Sequence, residues 1–407
     1  MTATGGSSRT VAVVGAGVVG ATVSLELARR DIAVTLYDAG TVASGSSGRA
    51  AGVCYDAFAD GLDADLAARS LGVFRERDAL VDCPYVWLAR EGDDRNAAAM
   101  DEQVPRMQGN GRDVGFVDPD ELADHWPTLR IDDVARAAIA RNAGLADPGA
   151  YTRETAQLAV AEGATLRTDT PIELDTEGRI RVVDGRPGSD RTGSRARPPE
   201  YDAVVVSAGA HTARLLGGAG LPVAVKAYRV QALLTDETPL ADGVPTLYDA
   251  TGGFYLRPRD GRLFVGDGTV PEEHDPDEWE RSADDWFRAE AADALRTALA
   301  VDTAALPPIH RAWAGLCTAT PDGDPLVGEV APGLLVATGF QGHGFMRAPA
   351  IGERLAGQII GGEAIDAFDP TRFSGDEEFE IVEGMTLEEP GGTGRSPEGG
   401  DGPDGQA

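Results

Sequence analysis

The chain has 407 residues and a formal net charge of −31, from 67 acidic and 36 basic side chains. That length can bury a large core and suits two domains, whereas so acidic a chain repels phosphate backbones, which excludes nucleic acid as a partner. Cys54, Cys83 and Cys317 show no C-x-x-C spacing, which argues against a disulfide framework and a metal site and fits a reducing compartment.

The N-terminus, MTATGGSSRT, has no basic stretch leading into an apolar one, and no later run is apolar enough to span a membrane, so a cytoplasmic protein is expected. Residues 11–14 read as a buried strand. Gly15, Gly17 and Gly20, with Ala16, Val18 and Val19 between them, then supply a tight turn, bare backbone beside a pyrophosphate and close packing of the next helix. That helix aims its N-terminal N–H groups and positive dipole end at phosphate. A second apolar strand, 33–37, ends on Asp38, placed to accept hydrogen bonds from a ribose diol. The order strand, turn, helix, strand, acid specifies a dinucleotide site far better than the glycines alone.

A glycine- and serine-rich loop follows at 44–52, then helical patterning over 62–80. Residues 85–144 mix short strands and helices, with Pro119 just inside a helix capped by Asp118. Asp147-Pro148 starts a helix over 148–161 that Gly163 stops. Strands are expected at 164–167 and 179–183, a surface loop at 186–199, and a buried strand at 201–207 that delivers Ala208, Gly209 and Ala210. From 223 to 268 the pattern is alternating strands, with Asp260-Gly261 as a hairpin turn. An amphipathic helix over 277–299, a strand centred on Trp313, a strand at 333–338 and a helix over 349–360 complete the body. Residues 374–407, acidic and rich in Gly and Pro, are expected to form a disordered tail.

The order of these segments predicts one discontinuous cofactor domain, 9–84, 145–220 and 325–365, interrupted by a sheet-based substrate domain, 85–144 and 221–324. The opening motif fits NAD and FAD equally, because both carry the adenosine diphosphate half. Two later strands also end in small residues, Ser207-Ala208-Gly209-Ala210 and the stretch from Thr338 through Gly339, Gly342, His343 and Gly344 to Phe345. Such corners let backbone approach a ring or phosphate closely, and a long two-ended ligand such as FAD would use all three. A ligand-free flexible turn is the other reading of Gly342 and Gly344.

The segments GAGVVG, SGSSGRAAG, VVVSAGAHTARLL, WAGLCTATPDGDPLVGE and TGFQGHGFMRAPAIGERLA cover much of residues 10–365. Through them the chain resembles the FAD-dependent amine oxidoreductases that include D-amino-acid oxidase and dehydrogenase, glycine oxidase, sarcosine oxidase and dye-linked proline dehydrogenase. The β-type subunits of heteromeric sarcosine oxidase and proline dehydrogenase are nearest in character. The resemblance implies an α/β fold: a discontinuous Rossmann-like FAD-binding domain plus a substrate domain with a mainly antiparallel sheet flanked by helices. It implies that Ser44, Gly45, Ser46, Gly48 and Arg49 wrap the flavin, that backbone near Ile172 holds adenine, and that Ala208 and Gly209 lie near the pyrophosphate. Gly342, His343 and Gly344 would lie against the ring, where N–H groups stabilise developing negative charge. The implied reaction is hydride transfer from the carbon beside a neutral amine nitrogen to flavin N5. The electron acceptor is then oxygen or a redox protein, and membership of a hetero-oligomer is part of the expectation.

Departures from the family pattern matter as much. The loop after Asp38 has no histidine, and Gly315 stands where some relatives carry a flavin-linking cysteine, so FAD is expected to be non-covalent. Cys317 and Met346 stand where relatives carry a carboxylate-binding arginine and lysine, leaving Arg49, Arg257 and Arg347 as anchor candidates. His343 and Arg257 are the catalytic candidates, His343 as an acid or base or as a structural partner beside the ring. Arg257 in place of an oxygen-activating lysine favours a dehydrogenase. A flavin-binding subunit or assembly factor with little catalysis is the competing reading, and a nicotinamide-dependent dehydrogenase a third. Lys226 is the only lysine; with the acidic excess this points to the salt-filled cytoplasm of an extreme halophile, with a haloarchaeal source as the expectation, since a high-GC genome favours Arg over Lys but does not explain the acids.

Overall fold

Apolar runs set the first sheet in the computed structural model, which describes residues 9–183 and 200–382. Thr10–Val14, Ala203–Val206 and Leu334–Thr338 are buried along almost their whole lengths, the pattern of parallel strands covered on both faces. They are central in a six-stranded sheet of order Leu326–Ala331, Leu334–Thr338, Ala203–Val206, Thr10–Val14, Ala33–Tyr37, Thr165–Arg167. Every pairing is parallel except that of the edge strand Leu326–Ala331. Val14 pairs with both Tyr37 and Val206, and Val206 with Val336, so the carboxyl ends finish along one edge.

One face of this sheet is covered by helices. Val18–Ala28 packs on Pro148–Ala161 and on Gly344–Ile359, and the last packs on Gly61–Glu76. Gly352 makes the crossing with Val18–Ala28 close: a Cβ there would sit 2.5 Å from Thr22 Cγ2. The other face carries the hairpin Ile172–Leu174 and Ile180–Val182 and the short helix Thr212–Gly218.

The second sheet has eight strands, ordered Ile309–Ala319, Lys226–Thr235, Arg262–Gly266, Phe254–Arg259, Thr246–Asp249, Tyr85–Arg90, Val134–Ala140, Val114–Phe116. Only Thr246–Asp249 with Tyr85–Arg90 is parallel. Val86, Leu88, Leu233, Leu256, Leu263 and Val265 pack on the helix Asp285–Ala298. The side chains that alternate with them, Tyr85, Trp87 and Tyr248 among these, join the core shared with the first sheet. The turn Asp260-Gly261 has φ of 50° and 71°, the mirror-image turn that matches strand twist. Among the described residues no helix is long and apolar enough to cross a membrane.

Several elements differ from the sequence reading. The helix expected over 277–299 is Asp285–Ala298. Arg229 holds Ser282 O and both Asp284 carboxylate oxygens, Asp284 N donates to Gln231 Oε1, and the preceding stretch is thereby kept extended. The helix expected from 349 starts at Gly344 and runs through Pro349; the buried Ser70 hydroxyl accepts from Ala350 N at 3.1 Å, beside the irregularity the proline makes. The helix expected over 62–80 is Gly61–Glu76, capped by Asp60, and the strand Ile172–Leu174 was not anticipated. Residues 374–382 of the expected disordered tail are seated on the body. Lys226 donates to Phe379 O at 2.8 Å and lies 4.6 Å from its ring centroid, and Gln341 Nε2 donates to Val382 O at 3.0 Å. The loop 186–199 and the tail from 383 lie outside the described residues.

Gly352→Val should overpack the contact with Thr22 and lower the unfolding free energy by about 1–3 kcal/mol, read as a shift of the urea midpoint at unchanged m-value.

Candidate active site

The three glycine-bearing corners line one cavity of about 700 Å³, within the range of small-molecule sites. Gly15, Gly17, Val18 and Val19 come from the first turn, Ser207, Ala208, Gly209 and Ala210 from the second, and Gly342, His343, Gly344 and Phe345 from the third. The N-termini of the helices Val18–Ala28 and Gly344–Ile359 both face this space, so two positive dipole ends converge on it.

Close packing holds the corners. Gly15 has φ 106°, and a Cβ on it would lie 2.4 Å from Ser207 O; only glycine lets the first two corners touch. Asp38 accepts from Ala16 N at 2.7 Å through one oxygen and from Gly40 N at 2.8 Å through the other. The loop after it is clamped in turn. Ser47 Oγ accepts from Val18 N at 3.0 Å, and Ser46 Oγ donates to Leu316 O of the second sheet. Ser44, Gly45, Ser46 and Arg49 line the cavity, as do Ile172, Cys317 and Met346.

Six anticipated residues do not line it. Ala16 acts through its N–H to Asp38, and Gly20 and Gly48 are packing positions where a Cβ would lie 2.0 Å from Gly15 O and 2.2 Å from Ala43 O. Gly339 donates to Thr318 Oγ1 at 3.1 Å behind the third corner. Arg257 is buried with its guanidinium 4.7 Å from the Phe264 centroid, donating only to Pro258 O among the described residues; burial and Arg259 lower its pKa to about 10. Arg347 forms a bidentate pair with Asp63, at 2.8 and 3.0 Å, and lies over Phe58. Neither arginine presents its charge to the cavity, which departs from their expected roles as catalytic or anchor groups.

His343 does line the cavity, but burial, and then Arg347, push its pKa down to about 3. A neutral imbedded ring with Nε2 at 3.3 Å from the Tyr55 hydroxyl positions that hydroxyl and the corner rather than carrying charge at neutral pH. Residues that sequence reasoning missed complete the walls: Tyr55, Gln231, Tyr255, Asp267, Trp279 and Arg281, with Trp313 facing inward as well as packing on Phe264. Most of these sit on strands or extended segments of the second sheet, where facing direction depends on register. Only Ser47, inside the Ser-Gly run, carried a local signal.

The lining brings all three corners within reach of one long ligand. A Cβ added at Gly45, Gly209 or Gly342 would meet no heavy atom within 4 Å, which leaves bare backbone facing open space. Thr338 Oγ1, on the cavity wall, is buried without a hydrogen-bond partner among the described residues.

The profile of the FAD dependent oxidoreductase family (DAO) matches residues 10–358. Glycine oxidase of Geobacillus kaustophilus is 28% identical over 388 residues, covering 89% of this chain and 96% of that protein. The 4-methylaminobutanoate oxidase (formaldehyde-forming) of Paenarthrobacter nicotinovorans is 27% identical, covering 90% of this chain and 46% of that longer protein. The crystal structure of L-proline dehydrogenase from P. horikoshii superposes with a TM-score of 0.76 at 25% identity, covering 90% of this chain and 98% of that one. The mixed α/β fold with parallel and antiparallel sheets is thus the anticipated one.

The depressed His343 pKa has a thermodynamic consequence. Between pH 6.5 and about 3 the unfolded imidazole binds a proton that the folded one refuses, so this residue's contribution to stability falls as pH drops through that window. The difference in unfolding free energy between wild type and His343→Asn should therefore shrink from pH 7 toward acid. A pH-independent difference would mean that His343 titrates normally when folded.

Proposed function

Because the chain belongs to the FAD-dependent oxidoreductase family, we propose that it binds FAD non-covalently and oxidises the C–N bond of an amino-acid-type amine of the sarcosine, glycine, D-amino-acid or proline class. The observation that carries this reading is that all three bare corners line a single cavity. Segments 9–84, 145–220 and 325–365 form the cofactor unit in this reading, and 85–144 and 221–324 the substrate unit.

FAD, when bound, supplies the hydride-accepting ring that no side chain can replace. The backbone N–H groups at the start of the helix Val18–Ala28 hold the pyrophosphate, Asp38 takes a ribose hydroxyl, and backbone near Ile172 meets the adenine. His343 and Gly344 turn the positive end of the last long helix toward negative charge on the ring. Tyr55, Tyr255, Trp313 and Met346 line the cavity and would exclude water from a ring bound there, and Arg49 is the cation, of the three expected, that lines it. The relatives named above act, by their names, on glycine, 4-methylaminobutanoate and proline, which supports amine oxidation as the reaction class. One observation favours the competing reading of a flavin-binding subunit with little catalysis: Arg257 and Arg347 lie off the cavity.

The purified protein should be yellow, and acid precipitation should release the colour into the supernatant. Anaerobic addition of sarcosine, glycine, D-alanine or L-proline should bleach the oxidised flavin band near about 450 nm, and reoxidation by oxygen against an artificial dye then separates oxidase from dehydrogenase. Bleaching by none of them would favour the non-catalytic subunit. We further propose a cytoplasm rich in salt as its setting: raising ionic strength from about 0.1 M to about 1 M, which shortens the Debye length from about 10 to about 3 Å, should raise the melting temperature. A melting temperature that falls would remove the halophilic reading.

A further inference from the structure

The outer mouth of the cavity is cationic in a chain whose net charge is −31. Arg281 lines it beside Trp279, with its guanidinium 5.1 Å from that ring's centroid. Arg311 is exposed and does not itself line the cavity, but its guanidinium lies 4.4 Å from the centroid of Trp313, a second lining ring. Arg49 joins them: its carbonyl accepts from Trp313 Nε1 at 3.4 Å, while the Arg281 carbonyl accepts from Ala314 N at 2.9 Å. Backbone and ring contacts thus tie three arginines to one stretch of the strand Ile309–Ala319. Burial, followed by the charges of Arg281 and Arg311, holds Arg49 below the usual arginine range.

No carboxylate neutralises these three among the described residues, although acids are close in sequence. Asp284 takes Arg229 through both oxygens and also accepts from Trp286 Nε1. Glu280 accepts the N–H and hydroxyl of Ser282. Asp275 and Asp277 hold Arg214, and Asp277 also His211. Asp236 is engaged by His310 and Arg262, and Asp267, on the cavity wall, accepts from Thr269. Grouping like charges without counter-ions opposes folding, whereas stacking on tryptophan preorganises the Arg281 and Arg311 forks for a planar oxyanion; Arg49 Nη1 is held instead by the Ser44 and Gly45 carbonyls, to which it donates.

We propose that Arg281, Arg311 and Arg49 form a subsite for a carboxylate at the far end of the amine, so that the substrate class is amines carrying an anionic arm remote from the oxidised carbon. Tyr255, Cys317 and Met346, which also line the cavity and are less exposed than Arg281 and Arg311, carry no charge, so in this proposal the uncharged reacting end goes inward and the anionic arm stays at the mouth. The subsite rests on the amine-oxidation reading for its role, though not for its binding.

Calorimetry on the flavin-loaded protein should find glutarate bound about tenfold or more tighter than butyrate, the gain of one charge-assisted hydrogen bond or better. The R281Q/R311Q double variant should lose that preference and R281K/R311K should regain part of it. In steady state, N-methylglutamate should exceed N-methylnorvaline in kcat/KM by about tenfold, chiefly through KM, and the ratio should collapse in the glutamine variant. Equal binding of glutarate and butyrate, a ratio untouched by the double variant, or tighter binding of inorganic phosphate than of glutarate would each overturn the proposal. Arginine-dependent glutarate binding without flavin reduction by either amine would keep the subsite and defeat the oxidation reading; reduction without discrimination would do the reverse.

Discussion

Everything at the site follows from parallel strands that end level. Val14 in register with Tyr37 and Val206 places Gly15, Asp38 and Ser207 side by side, and backbone bonds lock that arrangement: Gly15 N donates to Tyr37 O and Ser207 N to Val14 O. A slip of one residue would turn each buried side chain to the opposite face and part Asp38 from Ala16 N. The near-contact of Gly15 with Ser207 therefore has a double meaning. It packs two corners into one wall, and it keeps that wall free of side chains where a ligand must touch backbone.

The second sheet depends on the first in a less local way. Its strands come from two stretches of chain, joined by the parallel pairing of Tyr85–Arg90 with Thr246–Asp249. At that seam Arg90 is buried against Asp249 at 2.7 Å and also pairs with Asp133. An ion pair this buried is weak evidence for stability, and a role in fixing register between separated segments fits it better. The loop between Asp38 and Gly52 then couples the two sheets, because Ser46 reaches Leu316 and Arg49 reaches Trp313.

How much of this was legible in the sequence divides by the range of the interactions concerned. The corners were readable because strand burial, glycine spacing and the terminal acid are local patterns: residues 11–38 carry the whole unit in one run. Helix ends were less so. The start of Gly344–Ile359 was hidden by Pro349, whose usual meaning is a first turn, and the Ala350 N–H beside it is taken by the distant Ser70 hydroxyl. Asp285–Ala298 was overextended because the amphipathic pattern runs back past Asp284, while Arg229 and Gln231, more than fifty residues away, hold Asp284 at the helix start. Arg257 could not be placed at all without register. Its strand was recognisable, but the Phe264 ring beneath its guanidinium belongs to the neighbouring strand.

Charge inside the cavity region is largely cancelled at source. Arg347 is matched by Asp63, His343 is held neutral by burial, and desolvation, with Asp63 and Asp322 nearby, raises the Asp324 pKa to about 6. Against that background the arginines at the mouth, like the buried Arg257, have no carboxylate partner among the described residues, and their usefulness depends on range. If the protein works at molar salt, with a Debye length of about 3 Å, long-range steering of an anion is lost, and the acidic exterior equally ceases to repel it. What survives is direct contact, where a guanidinium fork meets a carboxylate within a hydrogen bond's length. A cluster stacked on Trp279 and Trp313 is built for contact, since the rings fix the forks before the anion arrives.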